Sequence, residues 1–145
     1  MDFNEIREFA TKNPVCFLAT DDAGLPRVRG MLLWFCDPSG FYFSSGSTKR
    51  MVQQVQKNPN AEICFYNPGG GNPINMRMMR LTGKIELVED ETLMKKLYAE
   101  RPYVLEVIKK VAGSKVVILR MAHADARFWT MADNLMEKEL ETIKF

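Results

Sequence analysis

Residues 15–35 read Val15-Cys16-Phe17-Leu18-Ala19-Thr20, then Asp21-Asp22-Ala23-Gly24, then a run from Arg27 to Phe35. The outer pieces are short and rich in β-branched and aromatic residues, and the middle piece is a polar turn containing glycine. That is a hairpin. The same grammar recurs downstream: Phe41-Tyr42-Phe43-Ser44 follows a second turn, Asp37-Pro38-Ser39-Gly40. Ile63-Cys64-Phe65-Tyr66, Met76 to Val88, Val116 to Met121 and Ala126 to Met131 complete the predicted strands. Helical spacing marks Asp2 to Lys12, through Phe3, Ile6, Phe9 and Ala10. It also marks Ser47 to Asn58, through Met51, Val52 and Val55, with Ser47 as the expected N-cap. Asp90 to Glu100 and Tyr103 to Val111 read as helices parted by Arg101-Pro102. In the stretch 133–145, Met136, Leu140 and Ile143 suggest a C-terminal helix or tail. The expectation is one mainly β (α+β) domain over 1–145, with six to seven strands in a small barrel or sheet and helices at its periphery.

Composition narrows the function. With 46% hydrophobic and 26% charged residues, the 145-residue chain can fill one core. A net charge of +2 gives no electrostatic case for nucleic acid or an anionic membrane. No apolar run approaches the ~20 residues of a membrane span, and Met-Asp-Phe-Asn-Glu has neither region of a signal peptide. The three cysteines, Cys16, Cys36 and Cys64, sit among apolar neighbours, which suits reduced thiols and a cytoplasmic location. Without a Cys-x-x-Cys and with His123 as the single histidine, no metal site is expected. Nor does any Gly-x-Ser-x-Gly elbow give His123 a hydrolytic role.

Two segments carry chemistry. In Pro26-Arg27-Val28-Arg29-Gly30-Met31, alternation puts Arg27, Arg29 and Met31 on one face and Val28, Gly30 and Leu32 on the other. Two guanidiniums on one face want water or an anion, and a glycine within a strand admits close approach to the backbone. Phe43-Ser44-Ser45-Gly46-Ser47-Thr48-Lys49-Arg50 turns from strand to helix through small hydroxyl residues. Free N–H groups of a first helical turn, hydroxyls and a lysine together suit an anion. A solvent-facing basic edge and a well-capped helix are the plain alternatives. If consecutive strands pair through the turn at Asp37–Gly40, both segments lie in one sheet. Arg29, Ser44, Ser47 and Lys49 then converge on one phosphate.

The ordered set Phe17-Leu18-Ala19-Thr20, Pro26 to Met31, Phe41 to Ser44, Ser47-Thr48-Lys49, Asn58-Pro59 and Arg80-Leu81-Thr82-Gly83-Lys84 resembles the pyridoxamine 5′-phosphate oxidase-related FMN-binding split β-barrels. The resemblance implies a homodimer with FMN sites in its interface, and an oxidoreductase acting on a small redox substrate. Arg29 and Lys49 would hold the phosphate, helped by Ser44 and Ser47. Main chain at Gly30, Met31 and Leu32 would lie along the flavin edge, with Gln53 or Gln54 one turn beyond Lys49. Arg77, Met79 and Trp129 are the candidates contributed by the partner subunit. A strand tryptophan such as Trp34 or Trp129 also serves simply as packing. Met76, Met78 and Met79 fit an adaptable core as well as one face of a flavin. A true oxidase has basic groups shortly after its Phe-Trp. Here Thr130 to Glu137 contains no Arg, Lys or His, so oxidation of pyridoxamine 5′-phosphate is not expected. The alternatives are a flavin store or redox sensor, or a split barrel that uses haem or the deazaflavin F420.

Overall fold

The chain begins by capping its first helix: the Asp2 carboxylate accepts the Glu5 N–H at 3.0 Å, and α1 (Phe3–Lys12) buries Ile6, Phe9 and Ala10. The computed structural model describes residues 2–145. Strands β1 (Val15–Asp22) and β2 (Leu25–Leu32) form the expected hairpin, in register from Val15–Leu32 to Asp22–Leu25. The run expected to reach Phe35 breaks at Leu33-Trp34. There the Leu33 N–H turns back to the Pro14 carbonyl, and the Trp34 N–H goes to the Tyr42 carbonyl. Strands β3 (Phe35–Asp37) and β4 (Gly40–Gly46) pair through the second predicted turn.

Next come α2 (Arg50–Lys57), β5 (Asn60–Asn67) and β6 (Arg77–Lys84). The long strand expected over Met76–Val88 also breaks, at buried Ile85, and continues as β7 (Glu86–Val88). Helices α3 (Glu91–Glu100) and α4 (Tyr103–Ile108) lead into β8 (Val116–Met121) and β9 (Ala124–Thr130). A two-residue strand, β10 (Ile143–Lys144), closes the chain.

The two breaks make the architecture. One sheet runs β10-β9-β6-β5-β1-β2 and the other β3-β4-β8-β7, so the chain changes sheet at Leu33-Trp34 and again at Ile85. Among the described residues ten strands replace the expected six or seven, because two long strands are each divided between sheets and β10 forms in the stretch read as a helix or tail. Inward-facing Leu18, Phe41, Ile63, Phe65, Leu81 and Leu119 fill the space between them. Neighbouring strands pair antiparallel throughout, and the fold is a split β-barrel with peripheral helices.

Three expectations need correction. β2 and β4 lie in different sheets, so the two chemical segments meet across the barrel and not as neighbours in one sheet. Helix α2 starts at Arg50 with Lys49 at its N-cap, three residues later than the sequence suggests. Ser47 is drawn off by the residue before β8: its N–H donates to the Lys115 carbonyl at 2.8 Å, and its hydroxyl accepts the Lys115 N–H at 2.9 Å. The stretch 133–145 forms no α-helix. It makes a 3₁₀ turn at Glu137–Glu139 and then β10, and Phe145 packs 5.3 Å from the Phe3 ring and 5.4 Å from the Phe41 ring. Aromatic burial there outweighs a weak helical period.

Candidate functional site

β2 is the outer strand of the six-stranded sheet, so one edge of its backbone is unpaired. An edge of this kind, flat and unprotected, is normally covered by something. At Gly30, Met31 and Leu32 that edge borders a groove of about 340 Å³, whose opposite side is the β4–α2 corner. Such a volume lies at the lower end of the ~300–1,000 Å³ usual for small-molecule sites. Gly30 leaves open space where a Cβ would stand, with no atom within 4 Å of it. Met31, which also lines the groove, is partly buried and packs against the core. Ser44, Ser45, Thr48 and Lys49 line the corner, and Tyr103, Val104 and Ile108 of α4 form an apolar wall.

The corner is short of partners. The Ser45 hydroxyl is buried and has no hydrogen-bond partner among the described residues. A buried unpaired hydroxyl costs about 1–3 kcal/mol, and because it is shut off from solvent it presents no donor to a molecule in the groove. At the start of α2 no side chain caps the helix, leaving N–H groups of its first turn free for an anion. Lys49 forms no ion pair among the described residues, and Arg29 likewise has none.

Arg29 leaves β2 on the face towards α2. Its Nη1 donates to the Thr20 hydroxyl at 2.7 Å and to the Leu18 and Arg27 carbonyls at 3.2 and 3.3 Å; its Nη2 donates to Gln54 Oε1 at 2.6 Å. Every acceptor is neutral. Burial, and secondarily the like charge of Arg27, pull the Arg29 pKa below its ordinary value. A guanidinium stays protonated regardless, so the physical content is a cation that an anion would relieve.

The remaining candidates divide. Gln53 is exposed, whereas Gln54 is buried and contacts Arg29. Arg77 is engaged within its own chain: it pairs with Glu5 at 2.6 Å and lies 3.9 Å from the Phe128 ring centroid. Met79 is fully buried in the barrel core, on the inward face with Leu81, so it cannot contribute to a neighbouring subunit. Trp129 sits on β9, partnered with Met78 of β6. β9 lies four strands from β2 along the sheet, and Trp129 is not among the residues that line the groove. Ser45, Thr48, Arg101 and the α4 wall were not legible as groove residues. Arg101 arrives because its Nη2 donates to the Leu33 carbonyl at 2.8 Å, at the break between the sheets.

Comparison with known proteins follows the same line. The family model for pyridoxamine 5′-phosphate oxidase matches residues 3–130. The pyridoxine/pyridoxamine 5′-phosphate oxidase of Agrobacterium fabrum is 33% identical over 95 residues, covering 66% of this chain and 43% of that protein. The chain spans about half or less of the length of the curated relatives it matches, from 38% to 51% in three of them. Among solved structures, a nimc/nima family protein of Clostridium acetobutylicum superposes with a TM-score of 0.74 at 22% identity, covering 98% of this chain and 92% of that one. The heme storage protein HutZ of Vibrio cholerae superposes with a TM-score of 0.63 at 15% identity, covering 90% and 95%. These structural likenesses establish the shared fold. With the family match over residues 3–130, the chain belongs to the pyridoxamine 5′-phosphate oxidase family.

Proposed function

We propose that this protein binds FMN in the groove between the β2 edge and the β4–α2 corner, and works as a flavin-dependent oxidoreductase on a small substrate. The observation that carries the reading is Lys49, a cation without a carboxylate partner that lines the groove at the uncapped start of α2, with Arg29, likewise unpaired, tied to the same helix through Gln54 although it does not itself line the groove. A phosphate monoester supplies what that corner lacks: countercharge for the unpaired cations and acceptors for the helix N–H groups. The open backbone at Gly30–Leu32 suits the polar rim of a flat ring, and the α4 wall suits its apolar side. When bound, the flavin supplies the hydride and electron transfer. This chain's residues then act by holding and orienting it and by excluding water along the α4 side.

A homodimer belongs to the same reading. The outer face of the sheet exposes Val15, Phe17, Val28, Leu32 and Tyr66, and contiguous apolar surface of this kind marks an interaction site. Trp129, which does not line the groove of its own subunit, is the residue the partner would bring to it. Pyridoxamine 5′-phosphate itself is not the proposed substrate, since Thr130–Glu137 offers its phosphate no cation.

The test is spectroscopic. Protein loaded with FMN and desalted should retain a flavin spectrum that bleaches with NAD(P)H without oxygen. Retention with bleaching by dithionite but not by NAD(P)H would fit a store, and loss of all flavin on desalting would contradict the reading.

A further inference from the structure

Thr20 and Gln54 are the two buried polar residues of the chain that lie beside Arg29, 5% and 7% exposed respectively. The Thr20 hydroxyl donates to Gln54 Oε1 at 2.7 Å, and both oxygens accept from the guanidinium, at 2.7 and 2.6 Å. The three groups form a closed ring of hydrogen bonds across the Nη1–Nη2 end of Arg29. Its Nε–Nη2 edge has no acceptor at Nε among the described residues. That edge is the two-donor fork that matches two phosphate oxygens.

The chemistry of the ring matters as much as its shape. Carboxylates stand close in sequence, yet each is occupied elsewhere. Asp21 accepts from the Gly24 N–H and from Asn58, and Asp22 takes Arg27. Arg29 is therefore held only by neutral oxygens, which fix its direction without cancelling its charge. We infer that Gln54, with Thr20, is a positioning residue that turns Arg29 and keeps its charge free for the cofactor's phosphate. This rests on the FMN reading above.

A mere latch between β1 and α2 would use the same bonds, so the test must separate the two roles. The readout is the ratio of riboflavin to FMN dissociation constants, from fluorescence titration of apoprotein. Gln54→Glu keeps the shape but places a carboxylate against Arg29; the ratio should fall about tenfold while riboflavin binding holds, the size of one charge-assisted bond. Thr20→Val should lower it several-fold, about the loss of one neutral bond, and Thr20→Ser should restore it. A latch predicts instead that both flavins weaken by the same factor, and that result would overturn the inference, as would an unchanged ratio in both variants. If Gln54→Glu does not fold, the Thr20→Val and Thr20→Ser pair decides on the same ratio. A wild-type protein with no preference for FMN overturns the cofactor reading and this inference with it. A wild-type preference that survives in the variants overturns the inference alone.

Discussion

Gln54 of α2 accepts a hydrogen bond from Arg29 of β2 at 2.6 Å, so the edge strand of one sheet is tied to the helix that follows the other. The bond joins the two stretches that border the groove. Helix α2 is anchored at its middle through Gln54, while its N-terminal end, at Lys49, opens onto the groove. Arg29 is thereby held by secondary structure and not by a loop.

Lys49 tests the phosphate corner directly. Lys49→Met should weaken FMN binding by about 1.5–3 kcal/mol, the value of a hydrogen bond to a charged group, and leave riboflavin binding nearly unchanged. Calorimetric titration with both flavins measures it. The helix should be unaffected, since Lys49 makes no side-chain capping bond.

The exposed face of the six-stranded sheet should be where two copies meet. Wild-type protein should sediment at about twice 16.7 kDa, by the commonest two-fold closure. Phe17→Glu, placed where Phe17 is 45% exposed, should give a folded species of single-chain mass. A wild-type monomer that holds flavin as firmly would remove the partner's role in the site.

Much of this was legible in the chain, and the failures have specific causes. Hairpins at Asp21–Gly24 and Asp37–Gly40 could be read because turn residues separate β-branched runs. The crossings at Leu33-Trp34 and Ile85 could not: both are apolar, and period-two patterning does not show a change of sheet. Alternation correctly grouped Arg77 with Met79, but it does not say which face is inward. Only packing reveals that Arg77 lies over Phe128 while Met79 fills the core. For α2 a signal existed. Gln54 lies three residues after Met51 and beside Val55, on the helix's apolar stripe, whereas Gln53 falls off it. Ser47 misled because a good capping residue was instead claimed by pairing with Lys115.

Gly83 is a stability test away from the site. A Cβ there would stand 2.6 Å from the His123 carbonyl oxygen and 3.2 Å from the Ala124 side chain. Backbone cannot yield as a side-chain tip can, so Gly83→Ala should cost about 1–3 kcal/mol. Urea unfolding should show a lower midpoint at an unchanged slope.

Alkaline stability should depend on Cys16. Burial first, and the neighbouring Cys64 second, push its thiol from 9.0 up to about 12. The folded state keeps this proton where the unfolded chain releases it. Its contribution is therefore complete below pH 9 and is lost as pH rises towards 12. Melting temperature should fall more steeply across that window in wild type than in Cys16→Ala. Parallel slopes would show that the thiol does not ionise with unfolding.

The most direct measurement is a side-by-side titration of wild-type apoprotein with FMN and riboflavin, which differ only by the phosphate. If Arg29, Lys49 and the open turn of α2 address that group, FMN should bind at least about tenfold more tightly. The preference should shrink as salt is raised, since part of it is electrostatic. Equal affinity for the two flavins would contradict the assignment of this corner as a phosphate site.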